Sequence, residues 1–117
     1  LSGLDGDITG EEAPFISVEQ MPEFPGGGEG ALIAYIARNT KYPAMARENN
    51  IEGTVFISFV VEKDGSVSDV KILRGIGGGC DEEAKRVIKN LPNFAPGRQN
   101  GRPVRVQFNV PVKFKLM

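Results

Sequence analysis

The most regular hydrophobic pattern in the chain lies in its last segment. Between residues 104 and 116 every second position is apolar, and the seven positions are Val104, Val106, Phe108, Val110, Val112, Phe114 and Leu116. The residues between them are polar or basic, apart from one proline. Successive side chains of a β-strand point to opposite faces of a sheet, so this period of two predicts a strand over 104–116 with one buried face.

A second β signal lies in the middle of the chain. Four apolar residues alternate with a mixed set and would share one face: Val55, Ile57, Phe59 and Val61. Asp64-Gly65 follows them, and Asp-Gly between alternating runs is a strong hairpin signal. A return strand over 67–74 would place Val70 and Ile72 on one face. Residues 54–74 are therefore predicted to form a β-hairpin.

Three segments are predicted to be helical, two of them from the spacing of their apolar residues. Apolar residues recur at i, i+3 and i+4 over 30–39, and again in a segment that opens with acids at Asp81 and ends before Pro92. Between them, Tyr42-Pro43 breaks the pattern, because the residue before a proline disfavours the helical region. Pro43 suits the start of a short helix over 44–48.

The rest of the chain indicates one domain with a flanking segment. Residues 1–14 combine glycines with acids and have no apolar period, so we expect a disordered linker remnant. Residues 15–117 would form the domain, and 15–29 an extended lead-in, because Pro22 and Pro25 oppose helix. The segment 93–103, rich in Pro, Gly and Asn, is predicted to be a loop.

These elements predict an α+β fold. A small three-stranded antiparallel sheet would be covered on one face by two main helices. If the last strand lies beside the first, the strand order is 2-1-3, both neighbouring pairs are antiparallel, and the last strand occupies an edge.

Pro111 supports an edge position for the last strand. A proline has no N–H to donate, so within a sheet it belongs at an edge or a bulge. If Pro111 faces outward, the backbone groups of Arg105, Gln107, Asn109 and Lys113 do too, and they could pair with an incoming extended peptide. The alternative is a protected edge, because proline and lysine also prevent unwanted strand pairing.

Composition excludes several kinds of chemistry. The chain has 117 residues, a formal net charge of −1, no histidine and one cysteine. Without histidine it lacks the commonest general base and the commonest metal ligand, so we expect no enzyme activity, no metal and no cofactor. A chain without basic excess is also an improbable partner of nucleic acid. Cys80 is either a small buried thiol or a reactive one activated at a helix start.

The glycine-rich segment 75–79 raises a nucleotide-binding alternative. It follows a strand and precedes a helix, as a dinucleotide loop does. However, Cys80 occupies the third glycine position, and Asp81 and the acids after it would put negative charge where a phosphate sits.

No apolar run reaches the roughly 18 residues of a membrane span. Since the chain begins at Leu1 rather than Met, we expect a processed form or an excised fragment.

Four motifs carry a resemblance to a known family. They are Tyr42-Pro43 followed by Ile51-Glu52-Gly53-Thr54-Val55, the segment from Phe59 to Val67 with its Asp-Gly turn, Phe94-Ala95-Pro96-Gly97, and the ending from Val104 to Phe114. In this order they resemble the TonB C-terminal domain, in the form common in Bacteroidetes-type bacteria. The upstream segment 21–27 is similar to what precedes the domain there.

The resemblance implies a periplasmic domain of an energy transducer, anchored to the inner membrane by an N-terminal helix absent from this chain. It implies two partners: the TonB box of outer-membrane receptors, bound by strand addition, and inner-membrane proton-channel proteins, contacted through the missing region. The implied partner-binding residues are Tyr42, Pro43, Val104, Arg105, Val106, Gln107, Phe108, Asn109, Val110 and Lys113. For Tyr42 and Pro43 a structural corner is an equal alternative.

Two further possibilities stay open from the sequence. A TolA-like domain, or a TonB-like domain of another envelope protein such as a membrane sensor, would look similar. An exposed edge strand could also pair with a second copy of the chain and give a homodimer.

Overall fold

The computed structural model describes residues 13–116, so most of the predicted linker at 1–14 lies outside the described residues. The elements in chain order are α1 (Gly28–Asn39), α2 (Ala44–Glu48), β1 (Gly53–Val61), β2 (Val67–Arg74), α3 (Cys80–Lys89), β3 (Gly97–Gln99), β4 (Arg102–Val104) and β5 (Val106–Phe114).

The main sheet has three strands in the order β2-β1-β5. Both neighbouring pairs are antiparallel, which confirms the α+β class, the predicted strand order and the edge position of the last long strand. β1 is the central strand because it pairs with β2 on one side and with β5 on the other.

The hydrophobic core lies between this sheet and the helices. The predicted apolar face of β1 is fully buried, with Val55, Ile57, Phe59 and Val61 each at 0% exposure. On β5, Val110, Val112 and Phe114 belong to the same core and Phe108 packs against it, as the period of two requires. The helices contribute their apolar faces, which comprise Leu32 and Ile36 from α1 and Ala84, Val87 and Ile88 from α3.

A second, two-stranded sheet occupies part of the segment predicted to be a loop. β3 and β4 pair antiparallel, with Gln99 opposite Arg102. Between them, Asn100 and Gly101 both have positive φ, at 53° and 77°. Two consecutive positive φ values are typical of a type I′ turn, which Asn-Gly favours. The loop prediction for 93–103 was therefore wrong for the strand residues 97–99 and 102–103.

The lead-in segment packs onto this second sheet and reaches the core. Gln20 exchanges backbone hydrogen bonds with Arg98, and Glu23 does so with Ala95. Phe24 is buried, and its ring lies 5.3 Å from that of Phe94. Because Phe94 also contacts the rings of Phe59 and Phe108, a continuous aromatic cluster joins the lead-in to the main sheet.

The turn of the β1–β2 hairpin docks against the segment after α3. Gly65 has a φ of +90°, and its carbonyl accepts the amide of Phe94 at 2.8 Å. A Cβ at residue 65 would lie 2.0 Å from the carbonyl oxygen of Phe94. Only glycine fits this turn, because a side chain would meet both an unfavourable conformation and a backbone atom.

Replacing Gly65 with alanine should therefore destabilise the domain by about 3 kcal/mol or more, through backbone strain and displacement of the Phe94 segment. The matched control is Gly101→Ala, where φ is +77° and a Cβ would meet no atom within 4 Å. The control should lose only about 1 kcal/mol of unfolding free energy, from the positive φ alone. Chemical denaturation measures both, and equal losses would contradict the docking of this turn.

Candidate functional site

β5 pairs with β1 without interruption. The register runs from Val106 opposite Val61 to Phe114 opposite Gly53, with no shift among its nine pairs. In an antiparallel ladder the N–H and C=O of one residue point to the same neighbour, and those of the next residue point away. Half of the backbone groups of β5 are therefore directed away from β1.

Phe15 identifies which half faces outward. Its amide donates to the carbonyl of Arg105 at 2.8 Å, and its carbonyl accepts the amide of Gln107 at 2.7 Å. This parallel bridge lies on the side of β5 opposite β1. By alternation, Asn109, Pro111 and Lys113 also direct their backbone groups outward.

Beyond Gln107 the outward row is unoccupied. Within residues 13–116, the amides of Asn109 and Lys113 have no backbone or side-chain partner. Asn109, Pro111 and Lys113 are all exposed. We call this row, from the carbonyl of Gln107 to Lys113, the open edge. Pro111 faces outward with the others, so its missing N–H costs the β1–β5 ladder nothing.

The other edge of the sheet has a different structure. β2 pairs with β1 through a register that shifts twice, between Phe56 and Ile57 and between Ser58 and Val60. Asp69 lies at the second irregularity with a φ of 54°. Bulges of this kind twist an edge and disfavour pairing with another strand. Of the two edges, β5 is the regular one.

The predicted 104–116 strand is two strands in the structure, because Val104 ends β4 and β5 begins at Val106. Val104 belongs to β4 and pairs with Gly97, so it is not part of the open edge. The Arg105 side chain is committed to Glu62, with Nε to Oε1 at 2.8 Å and Nη2 to Oε2 at 3.2 Å. The outward groups of Arg105 and Gln107 that bond Phe15 are already used within the domain.

Three further residues of the predicted site face β1 rather than the open edge. Val106 and Val110 are buried, and Phe108 is half-buried against the aromatic cluster. Their backbone groups face β1, so they position the strand. The side chains of Phe108 and Val110 also line the surface beside the open edge. Of the predicted residues on β5, Asn109 and Lys113 are the ones with free outward amides.

Tyr42 and Pro43 form a corner beside the far end of β5. The Tyr42 hydroxyl donates to the carbonyl of Ile51, and its ring meets that of Phe114 edge-on, with centroids 5.7 Å apart. The Arg47 guanidinium lies 5.1 Å from the Tyr42 centroid. Burial raises the pKa of Tyr42, so the hydroxyl remains a donor. These contacts support the structural role, and the same ring also lines a groove next to β5.

Two hollows flank the open edge on the helix face of the sheet. The first, the Phe108 pocket, has a volume of about 240 Å³ and is lined chiefly by Met21, Phe24, Leu32, Phe94, Phe108 and Val110. The second, the Tyr42 groove, has a volume of about 570 Å³ and is lined by residues that include Ile33, Ile36, Tyr42, Arg47, Val112 and Lys113. The sequence did not indicate these hollows, because α1 and the lead-in meet β5 only in the folded chain.

The features that suggested other chemistry have structural roles. Cys80 is fully buried, and burial, with further contributions from Asp81 and Glu82, raises the pKa of its thiol. A raised pKa disfavours the nucleophilic thiolate. In the glycine-rich segment, the amides of Ile76 and Gly77 donate to Asp81 Oδ1 at 2.8 and 3.2 Å. A carboxylate therefore occupies the position that a phosphate would need.

No helix within residues 13–116 has the length and apolar character needed to cross a bilayer.

The fold and its site define a class: a small α+β domain whose last strand leaves a regular sheet edge unpaired. Residues 38–116 match the family described as Gram-negative bacterial TonB protein C-terminal. The chain belongs to this TonB C-terminal family.

Similar proteins agree with this assignment. The protein TonB of Helicobacter pylori is 44% identical over 82 residues, which is 69% of this chain and 27% of that protein. The protein TonB of Neisseria meningitidis serogroup C is 31% identical over 118 residues, covering 96% of this chain and 40% of that protein. The chain thus spans well under half the length of these relatives.

Solved structures show the same fold. The solution structure of a Helicobacter pylori TonB C-terminal domain aligns with a TM-score of 0.57 at 25% identity, covering 74% of this chain and 90% of that one. That of Pseudomonas aeruginosa aligns with a TM-score of 0.54 at 28% identity, covering 66% and 78%.

The Glu62–Arg105 pair should stabilise the start of β5. The Glu62 carboxylate also accepts the Ser68 hydroxyl, so it links Arg105, the residue before β5, to β2. The hydrogen bond from Arg105 is the main cause that lowers the pKa of Glu62. A lowered folded-state pKa gives stability that is present above the unfolded pKa and lost as pH falls through the folded one.

Glu62→Gln should therefore reduce the free energy of unfolding by about 1 kcal/mol at pH 7 and by progressively less below about pH 4. Glu48→Gln, at an exposed residue without a recorded hydrogen bond or ion pair, is the control and should be neutral throughout. Denaturation across pH measures both variants. A Glu62→Gln deficit that is independent of pH would show that the charge of the pair is not what matters.

Proposed function

We propose that this domain binds an extended segment of a partner protein by adding it as a strand to the open edge of β5. The observation that carries the proposal is the unpaired outward row at Asn109, Pro111 and Lys113 on a strand of regular register. Backbone hydrogen bonds supply the affinity in strand addition, and side-chain pockets supply specificity.

Membership of the TonB C-terminal family supports a particular partner for this edge. The bound segment is the TonB box of an outer-membrane receptor, and the domain is the periplasmic end of an inner-membrane-anchored energy transducer. Inner-membrane proton-channel proteins would engage a region outside this chain. In this role the domain transmits force for nutrient uptake, and several backbone hydrogen bonds along one edge share the load.

Phe15 sets one limit of the binding row. Since it already bonds Arg105 and Gln107, an incoming strand pairs from the carbonyl of Gln107 to Lys113. Pro111 offers its carbonyl but no N–H, so the incoming strand has one carbonyl without a partner there. The segment bound by main-chain hydrogen bonds is therefore short, about four to six residues.

A second copy of the chain is a competing occupant of the same row. Pairing of two open edges would give a homodimer whose population rises with protein concentration. Sedimentation of the free chain over a range of concentrations separates this occupant from a receptor segment.

A proline at position 109 tests the proposal directly. Asn109→Pro removes an outward amide that makes no recorded bond in the domain, as Pro111 already does naturally. Folding should be little affected. Loss of one backbone hydrogen bond of about 1 kcal/mol should weaken the binding of receptor-derived peptides about fivefold.

The control is Asn109→Ala, which removes the exposed side chain and keeps the amide. It should bind as the unchanged protein does. Titrations of the labelled chain with N-terminal peptides of receptors from the same genome, followed by amide shifts, measure all three proteins. If Asn109→Pro binds as well as Asn109→Ala, the backbone of the open edge does not carry the interaction.

A further inference from the structure

The main sheet has a second face, on the side opposite the helices, which we call the outer face. Phe56 lies on it, because its neighbours Val55 and Ile57 point into the core. Residues opposite each other on neighbouring strands share a face. Arg74 on β2 and Pro111 on β5 both lie opposite Phe56. One row of the outer face is therefore Arg74, Phe56 and Pro111.

Two more basic residues belong to this face. Lys71 on β2 lies opposite the residue two positions after Phe56, and Lys113 on β5 lies opposite the residue two positions before it. Both are exposed, and so is Arg74. Since neighbouring strands are about 4.8 Å apart and alternate residues about 7 Å, the three cations surround Phe56 within a patch of about 10 by 13 Å.

Two exposed apolar side chains accompany these cations. Phe56 is 42% exposed, although it lies on the central strand. Leu73, at the register shift beside Phe56, is 55% exposed. Exposed apolar groups surrounded by polar ones mark interaction surfaces. We call the following residues the outer patch: Phe56, Lys71, Leu73, Arg74 and Lys113.

The outer patch is electropositive within a chain of nearly balanced charge. None of its three cations makes a salt bridge to another described residue. Glu62, at one end of the same face, is paired with Arg105. Glu52 precedes β1, and Asp69 lies nearer the hairpin turn, so both are outside the patch. Residues 1–12 contain four of the fifteen acids of the chain, so the remainder has more basic than acidic side chains.

This combination fits the surface of an anionic bilayer. A bilayer offers phosphates spread over a plane, beside an apolar layer. The three cations surround apolar side chains and do not converge on one point, so they match separate phosphates better than a single anion. A soluble polyanion would match the charges alone. A second copy of the same face would bring like charges together.

We propose that the outer patch docks the domain reversibly onto an anionic phospholipid bilayer. Its three basic side chains contact lipid phosphates, and Phe56 and Leu73 enter the boundary between headgroups and acyl chains. The sheet then lies parallel to the bilayer. Because the outward backbone groups of β5 lie in the plane of the sheet, the open edge points along the bilayer and stays accessible to an added strand. Docking by side chains and pairing by backbone groups therefore do not compete.

Co-sedimentation of the chain with lipid vesicles tests the inference. Vesicles of equal parts phosphatidylglycerol and phosphatidylcholine should bind the chain, and vesicles of phosphatidylcholine alone should not. Rising salt should weaken the binding, because salt screens exposed charges. Each cation near an anionic bilayer strengthens binding about fivefold. Replacing Lys71, Arg74 and Lys113 together with glutamine should therefore weaken binding about 100-fold, to the level of phosphatidylcholine alone.

Two matched controls separate the outer patch from charge and apolarity in general. The first replaces Arg38, Lys85 and Lys89 with glutamine, which removes the same charge from the helices on the other face, and should bind nearly as the unchanged chain does. Phe56→Thr keeps a strand-forming residue without the ring and should weaken binding about fivefold. Its control is Ile33→Thr on α1, at the nearly equal exposure of 41%. Chemical denaturation verifies that each variant is folded.

Binding that requires the anionic lipid, the three cations and Phe56, and that both controls keep, supports docking through the outer patch. Equal losses in the two triple variants would show that net charge alone attracts the chain, and would overturn it. Equally tight binding to soluble polyglutamate, unaffected by Phe56→Thr, would overturn the bilayer in favour of an acidic protein partner. No binding to the anionic vesicles at low salt would overturn docking outright. Titration with receptor peptides in the absence of lipid tests strand addition independently.

Discussion

The hydrogen-bond alternation of the β1–β5 ladder is the constraint on which the rest of the structure depends. Val106, Val110 and the other inward residues of β5 use their backbone groups on β1, so the residues between them must offer theirs to the opposite side. Along this outward row the lead-in contributes one bridge at Phe15 and then turns away to pair with the β3–β4 hairpin. The domain thus closes the first part of its own edge and leaves the remainder available.

Local pattern was sufficient to predict the main sheet. Two signals depend on neighbouring residues alone: the period of two in β1 and β5, and the Asp64-Gly65 turn. They led to the correct strand order and to the edge position of β5. The same reasoning missed the β3–β4 hairpin, although Asn100-Gly101 is a strong turn signal. Its strands have three residues each, and Gly97 and Pro103 interrupt any alternation, so the segment has the composition of a loop.

The candidate site was only partly predictable, because its limits are set by contacts between distant residues. Pro111 indicated the outward set correctly from the chemistry of one residue. Nothing in the sequence indicated that Phe15, some 90 residues earlier in the chain, would bond Arg105 and Gln107. The hollows likewise depend on the position of α1 beside β5. Residues such as Met21 and Arg47 therefore enter the site through tertiary packing alone.

Amide hydrogen exchange of β5, with and without a bound receptor peptide, tests the central claim most directly. In the free domain, exchange should alternate: Val110 and Val112 are protected by β1, whereas Asn109 and Lys113 exchange rapidly. Addition of the peptide should protect Asn109 and Lys113 and leave the inward amides unchanged. Uniform protection along the free strand, or a bound complex in which those two amides still exchange rapidly, would contradict capture of an extended segment by this edge.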